Sequence, residues 1–347
     1  MKVIKKILCL FIIIGQLVVL AGCPSNLETP QKEIKTYKSY NFTYFDTVST
    51  IIGQDEQAKF TNNANKAFAI LGEYHKLFDI YHEYSGINNL CTINKMAGGE
   101  ALVVDQKLID FLLYAKEIHT TTLGETNIML GAVLKLWHDA RESKDHVPTM
   151  EILTEAELHT NINLLEIDDE NNTVRISDPN GRIDVGALGK GYATEKAAKM
   201  LEGLGCNGYV LNIGGNIRII GTKHDGSSWK TGVTDPFGGL DPIITIMLKD
   251  TSCVTSGDYE RYYIYEGQKY HHIIDKDTLM PADYFSSITV LVKDSGLADA
   301  LSTALFSMPL EQGKELVESL EGVDAIWVSK EGQITYTDGV QSIIYTN

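Results

Sequence analysis

Cysteine is scarce, at 5 of 347 residues. Beyond Cys9 and Cys23 near the start, only Cys91, Cys206 and Cys253 remain. An odd, scattered trio builds no disulfide framework, and buried apolar thiols are the expected state. Positive charge is also in deficit: 30 Lys and Arg face 46 Asp and Glu, for a formal net charge of -16. Nucleic-acid phosphates would be repelled, so no nucleic-acid partner is expected. Neither H-E-x-x-H nor C-x-x-C occurs, which argues against a zinc site. There is no internal repeat and no low-complexity segment. The N-terminal apolar run, Ile7 to Ala21, spans 15 residues, whereas a bilayer-crossing helix needs about 20.

What is present begins with that run. Lys2, Lys5 and Lys6 precede it, and the run suits the h-region of a secretory signal. It ends Leu20-Ala21-Gly22-Cys23, the pattern of a bacterial lipobox. Residues 1–22 therefore read as a lipoprotein signal peptide and Cys23 as the lipidated residue. The expected location is the cell membrane, lipid-anchored at its extracytoplasmic face. An uncleaved anchor would put the domain in the same place. Residues 23–40 are polar and aperiodic, a flexible tether whose reach is at most roughly 60 Å. The whole chain is 44% hydrophobic, and the rest of it, 41–347, is ample for a large core.

The densest signal is Asp184-Val185-Gly186-Ala187-Leu188-Gly189-Lys190-Gly191. A β-patterned run from Thr173 to Asp184 precedes it. Ala193, Ala197, Met200, Leu201 and Leu204 follow at helical spacing. Strand, glycine turn and helix aim backbone N–H groups and a helix N-terminus at an anion. The stretch is not a P-loop, because position 184 is Asp and Gly191 stands where a metal-binding hydroxyl belongs. Nor is it a dinucleotide fingerprint, since the glycines read G-x-x-G-x-G. A glycine turn that packs a helix closely on a sheet is the competing explanation.

Elsewhere, Tyr40 to Gly53 reads as strand, Ala58 to Leu77 and Asp105 to Thr121 as helices, and charged Glu142 to Glu155 as a loop marking an insertion or lobe boundary. Two strands flank an Asp169–Asn172 turn. Tyr209 to Ile213 and Ile217 to Gly221 flank a Gly-Gly turn, Ser287 to Val292 is a strand, and Leu297 to Met308 is a helix. On that last helix Asp299 and Thr303 share a face, with Ser302 beside them. Such oxygens suit Mg²⁺ completed by water and phosphate, although a plain polar helix face looks the same. Of His271 and His272, only one can face a given cleft if the segment is a strand. A neutral His there would serve as general base toward a hydroxyl.

Taken together, these segments resemble one family. Asp184–Ala193, Asn212-Ile213-Gly214-Gly215-Asn216, Ser256-Gly257 with Glu260-Arg261, His272-Ile273-Ile274-Asp275 and Ala298–Leu305 follow in order over about residues 40 to 340. The sequence resembles the ApbE family of FAD:protein FMN transferases, many of them exported lipoproteins. The resemblance implies an α+β (mixed α/β) fold of two lobes with an FAD cleft between them. It implies FAD as substrate and Mg²⁺ on its diphosphate, with release of AMP and esterification of FMN to a threonine of an exported or membrane electron-transfer protein. By matching positions, Asp184 and Lys190 would contact FAD. Ala187 (through its carbonyl), Asp299 and Thr303, with Ser302, would hold the metal. Phe45, Tyr81, Glu125, Thr126, Asn127 and Ile273 would line the flavin or adenosine pocket, and His272 would be the base. The chain departs from the family at Phe45-Asp46-Thr47, where Met-Gly-Thr is common, and at Thr126-Asn127 and Thr278-Leu279. A Mg²⁺-dependent FAD pyrophosphatase would use the same residues, and a flavin-binding lipoprotein without turnover is the non-enzymatic rival.

Overall fold

A computed structural model describes residues 34–346; the signal segment and Cys23 lie outside the described residues. Two strands open the fold, β1 (Lys35–Asn41) and β2 (Ser49–Asp55). The chain continues through α1 (Gln57–Phe78), α2 (Leu90–Lys95), β3 (Leu102–Val103), α3 (Gln106–Thr121), α4 (Gly131–Ser143), α5 (Met150–Glu157), β4 (Leu165–Asp168) and β5 (Thr173–Ile176). Next come α6 (Gly189–Gly203), β6 (Tyr209–Ile213), β7 (Asn216–Ile220), β8 (Trp229–Val233), β9 (Ile244–Leu248) and β10 (Ser252–Gly257). Last are β11 (Tyr263–Tyr265), β12 (Gln268–Tyr270), β13 (Ser287–Val292), α7 (Ser295–Phe306), α8 (Leu310–Glu318), β14 (Asp324–Val328), β15 (Ile334–Tyr336) and α9 (Asp338–Gln341).

The spine is an eight-stranded sheet ordered β1-β2-β6-β7-β10-β13-β14-β15, antiparallel throughout. Period-two alternation sorts its side chains to two buried faces. Ile51, Tyr209, Leu211, Ile213, Val254, Ile288, Val290 and Trp327 pack on the helical side, while Val210, Cys253, Leu291 and Ile326 pack toward the β8–β9 hairpin. Helices α1 and α6 share the first core and α7 the second. Cys91, Cys206 and Cys253 are all free and buried, as expected. Among the described residues no helix is long and apolar enough to cross a membrane.

The mixed α/β expectation holds. From Lys35 onward the chain forms one compact unit with a single spine, so residues 142–155 mark no lobe boundary. Several local expectations change. The tether read as reaching residue 40 ends sooner, because β1 begins at Lys35 and pairs along its length with β2. Tyr40 to Gly53 is two strands around a turn, with Phe45 (φ 57°) and Asp46 (φ 50°) left-handed. The strand at Thr173 stops at Ile176, since Asp178 accepts from Asn180 and Gly181 in a turn that breaks pairing. Charged residues 150–157 form α5, anchored by buried Leu153. His271–Asp275 is irregular backbone, touching a strand pattern only through the Ile274–Pro281 bridge.

This topology brings several strand ends together at one edge of the sheet. β2 starts and β6 ends there, joined in register at Ser49 and Ile213. β7 starts there at Asn216, and β10 ends there at Gly257. The N-terminal turn of α6 and one face of α7 close over that edge.

Candidate active site

A cleft of about 260 Å³ occupies this edge. Asp46, Thr47, Gly214 and Asn216 contribute from the strand ends, Gly186 and Lys190 from α6, and Asp299 and Thr303 from α7. The segment Val254–Gly257, then Glu260, Arg261 and His272, completes the lining. The Gly-Gly turn after β6 is required here. Gly214 is left-handed (φ 59°), and a Cβ on it would lie 2.8 Å from Thr47 Cγ2, so a side chain would push Thr47 off the wall.

The glycine stretch works by bringing two helices into close contact. A Cβ on Gly191 would sit 2.5 Å from Asp299 Cβ and closer still to the Ser295 carbonyl. With no side chain in the way, the Gly191 N–H donates to Asp299 Oδ2 at 2.8 Å. That bond replaces the usual helical one to the Ala187 carbonyl four residues back, which receives no backbone donor among the described residues. Lys190 Nζ stands 3.7 Å from Asp299 Oδ1 and 3.3 Å from the Gly186 carbonyl. Asp299 is buried, 5% exposed. Burial pushes its carboxyl above the usual range, and the Lys190 charge and the Gly191 N–H pull it back.

Behind this wall is a buried polar brace. Arg218, fully buried on β7, donates to Glu195 Oε2 at 3.2 Å and to Glu202 Oε1 at 2.6 Å. Glu195 Oε2 also accepts the Ser295 N–H at 3.0 Å, at the start of α7. Asn216 Oδ1 accepts from Ser295 Oγ. The start of α7 is thereby tied to β7 and α6, and this fixes where Asp299 points.

Lys190, Asp299, Thr303 and His272 meet in the cleft as the sequence suggested. Ser302 lies behind it: the residue is fully buried, and its hydroxyl is held by Ser256 Oγ at 2.8 Å and the Asp299 carbonyl at 2.9 Å. It braces the wall instead of opening onto it. Asp184 Oδ1 accepts the Gly186 N–H at 2.9 Å, so that carboxylate shapes the glycine turn. Tyr81 is half-exposed, its ring 5.4 Å from that of His138.

Other candidates take structural positions. Phe45 donates its N–H to His75 Nδ1 at 3.3 Å and packs edge-on against that ring, while its neighbours Asp46 and Thr47 line the cleft. Ile273 is core, packed with the α7 cluster. Thr126 Oγ1 donates to the Ala300 carbonyl at 2.9 Å and Asn127 Nδ2 to the Thr160 carbonyl at 2.8 Å. These two residues tie down their loop and do not line the cleft. Glu125 pairs with Lys276 at 3.2 Å in a buried setting away from the lining.

The two histidines separate clearly. His271 is spent: Nε2 donates to the Ala282 carbonyl at 2.9 Å and Nδ1 accepts the Ile273 N–H at 3.2 Å. Burial pushes its pKa down to about 4. His272 Nδ1 lies 3.2 Å from the Glu260 carbonyl, which can only accept, so Nδ1 carries the proton in the neutral ring. Its Nε2 has no protein partner among the described residues. Burial, then Arg261 and the other cations facing it, pushes the ring's pKa down to about 3.

Comparison with known proteins places this geometry. The ApbE family model matches residues 39–327. The chain belongs to the ApbE family. The FAD:protein FMN transferase of Treponema pallidum is 30% identical over 266 residues, 72% of this chain and 73% of that protein. The FAD:protein FMN transferase of Vibrio cholerae is 28% identical over 310 residues, 88% of this chain and 89% of its own length. The solved structure of the ApbE protein from Thermotoga maritima superposes with a TM-score of 0.81 at 29% identity, covering 90% of this chain and all of that one.

The donors present fit a magnesium ion better than a metal held by protein alone. Among the described residues no three His, Cys, Asp or Glu side chains converge on a metal position. Asp299 and Thr303 line the cleft and offer a carboxylate and a hydroxyl as hard oxygens; Ala187, next to the lining residue Gly186, is not itself part of the lining. Magnesium is commonly held by one or two carboxylates with water and substrate phosphate completing its shell.

Sequence reasoning did not assign Asp46, Thr47, Asn216 or Arg261 to the site. Asn216 and Arg261 stood inside recognisable motifs, so a signal existed. Asp46 and Thr47 lie in the Phe45-Asp46-Thr47 segment where the chain departs from the family's common pattern, so that segment too was marked in the sequence.

Proposed function

We infer that this chain is a Mg²⁺-dependent FAD:protein FMN transferase acting at this cleft. The observation that carries the reading is the meeting of the Lys190–Asp299 wall with His272, whose Nε2 is free, in a protein of this family. Asp299, Thr303 and the Ala187 carbonyl would hold Mg²⁺, which when bound neutralises charge on the FAD diphosphate. Lys190 supplies a fixed cation beside it. Gly186 and Gly191 let backbone approach closely, and the Glu195–Arg218 brace keeps Asp299 in position.

The acceptor is a threonine hydroxyl. His272 Nε2 takes its proton as the threonine Oγ–phosphorus bond forms. The phosphorus–oxygen bond to the AMP half breaks, and AMP leaves with the electron pair. Phosphoryl transfer of this kind needs positioning and charge neutralisation more than covalent help from the protein. The lipobox Leu20–Cys23 supports a lipid anchor at Cys23 and work at the extracytoplasmic face, on an exported or membrane electron-transfer protein in the same membrane.

The test incubates the purified chain with FAD and Mg²⁺, with and without a threonine-bearing acceptor. AMP release coupled to flavin-labelled acceptor is the expected result. Rapid AMP release without acceptor would make the chain a pyrophosphatase. Tight FAD binding with neither product would make it a flavin-binding protein.

A further inference from the structure

The chain has five arginines, Arg141, Arg175, Arg182, Arg218 and Arg261. Arg175 and Arg218, away from the cleft, are paired with carboxylates: Arg175 with Glu166 at 3.0 Å, and Arg218 with Glu195 and Glu202. The other three make no ion pair with any carboxylate of the described residues, although acids outnumber bases 46 to 30.

Contacts in the fold give a position to two of them, Arg141 and Arg261. Arg141 Nη2 lies 3.0 Å from His138 Nδ1, and the His138 ring lies against Tyr81. Burial, then Asp184, pushes the Tyr81 phenol up, and the charges of Arg141 and Arg261 pull against that. Arg261 also lines the cleft, next in sequence to the Glu260 carbonyl that holds His272. Burial and the nearby Arg261 together disfavour the charge on Arg141. Arg261 is itself left-handed, at φ 46°. That conformation is uncommon for a non-glycine residue and is strained. Unpaired like charges and a strained backbone at one place are unfavourable in the free protein, and an anion would relieve the first.

We propose that Arg141 and Arg261 form a second anion subsite beside His272, which binds a phosphate ester of the nucleotide substrate. The guanidinium fork matches phosphate oxygens bidentately, where a lysine gives only a point charge. The subsite rests on the transferase reading for its role: cleavage of the diphosphate leaves a phosphate monoester on each half, AMP and FMN, and the arginines hold one of the two. If it is the AMP phosphate, they also take up the charge that grows as the bridging bond breaks.

The test is calorimetric binding of AMP and of FMN, separately, to the full chain in EDTA. Arg141→Gln and Arg261→Gln are expected to weaken binding of one nucleotide at least about tenfold, with Arg261→Lys recovering part of it. Arg175→Gln should match wild type, and the nucleotide that loses affinity identifies the half that is held. Wild-type affinity for both nucleotides in both glutamine variants, or failure of the wild-type chain to bind either, would overturn the proposal. A wild-type chain that binds through these arginines yet transfers no FMN would overturn the transferase reading and leave the subsite standing.

Discussion

Gly191→Ala is the most informative single substitution. The added Cβ would lie 2.5 Å from Asp299 Cβ and nearer still to the Ser295 carbonyl. Neither can rotate away, so α6 and α7 must separate by several tenths of an ångström or more. Overpacking of this kind costs about 1–3 kcal/mol, partly offset by up to ~1 kcal/mol of helix propensity gained on replacing glycine. For a domain this size the net loss lowers Tm by a few degrees, at roughly 2 °C per kcal/mol. Function should suffer more than stability. Separation breaks the Gly191–Asp299 bond and moves Lys190 from Asp299, and displacing a catalytic group by about 1 Å can cost ~100-fold in rate. Gly203→Ala is the control, because a Cβ at the far end of the same helix meets nothing within 4 Å. Thermal melting and FMN transfer are measured on both. If Gly191→Ala matches Gly203→Ala in Tm and rate, the close α6–α7 contact is not what sets the site.

Asp299→Ala removes the one cleft carboxylate that pairs with Lys190; transfer should fall by at least about 100-fold, and EDTA should abolish it in wild type. Full activity in metal-free buffer would sink the magnesium assignment. His272→Ala should lose transfer while keeping wild-type Tm and FAD affinity, and an unchanged rate would remove His272 as base. Because its pKa is pushed down to about 3, His272 of the free enzyme stays neutral through the working range, so the kcat/KM profile should show no acid limb near pH 6.5. A limb at pH 6.5 that vanishes in His272→Ala would contradict the depressed value. For His271 the folded pKa is lowered from 6.5 to about 4. Its contribution is therefore complete above pH 6.5 and is lost as pH falls toward 4, as the unfolded chain takes up a proton the folded one refuses. The loss is on the order of 3 kcal/mol. Urea unfolding at pH 7 and pH 4.5 should show that drop in wild type together with a similar one from His272, whose pKa is lowered likewise, and His271→Gln should lack the His271 share, roughly half of the two combined; equal slopes in both would refute the assignment.

Much of the fold was legible where one interaction dominates. Apolar residues at helical spacing mark α1 and α3 because their buried faces are continuous, and the Asp169–Asn172 turn marks β4 and β5. The β13 strand is buried at every position, so its β-branched run is unambiguous. Failures came where tertiary contacts overrule local pattern. Helix α5 carries three glutamates in its 8 residues and has a single buried anchor, Leu153. Phe45 and Asp46 look like strand residues, yet both are left-handed beside His75.

The site divides in the same way. Lys190 and Asp299 were readable from a glycine turn and from helical spacing. Ser302 was placed on the right face of α7, but its hydroxyl is taken by Ser256, from a strand far away in sequence. The residues' own pattern left His271 and His272 equal and only the resemblance named His272; in the fold both nitrogens of His271 are occupied. Arg141 and Arg261 come from a helix and a loop that only the folded chain brings together, so no spacing rule could pair them.

The central claim is that this cleft moves FMN from FAD to a threonine. Intact-mass and peptide-level spectrometry of an acceptor incubated with the chain, FAD and Mg²⁺ tests it directly. The account predicts a gain of one FMN less one water, mapped to threonine, with AMP released in equal amount and none of either with Asp299→Ala. An acceptor that stays unmodified while FAD is bound or hydrolysed would contradict it.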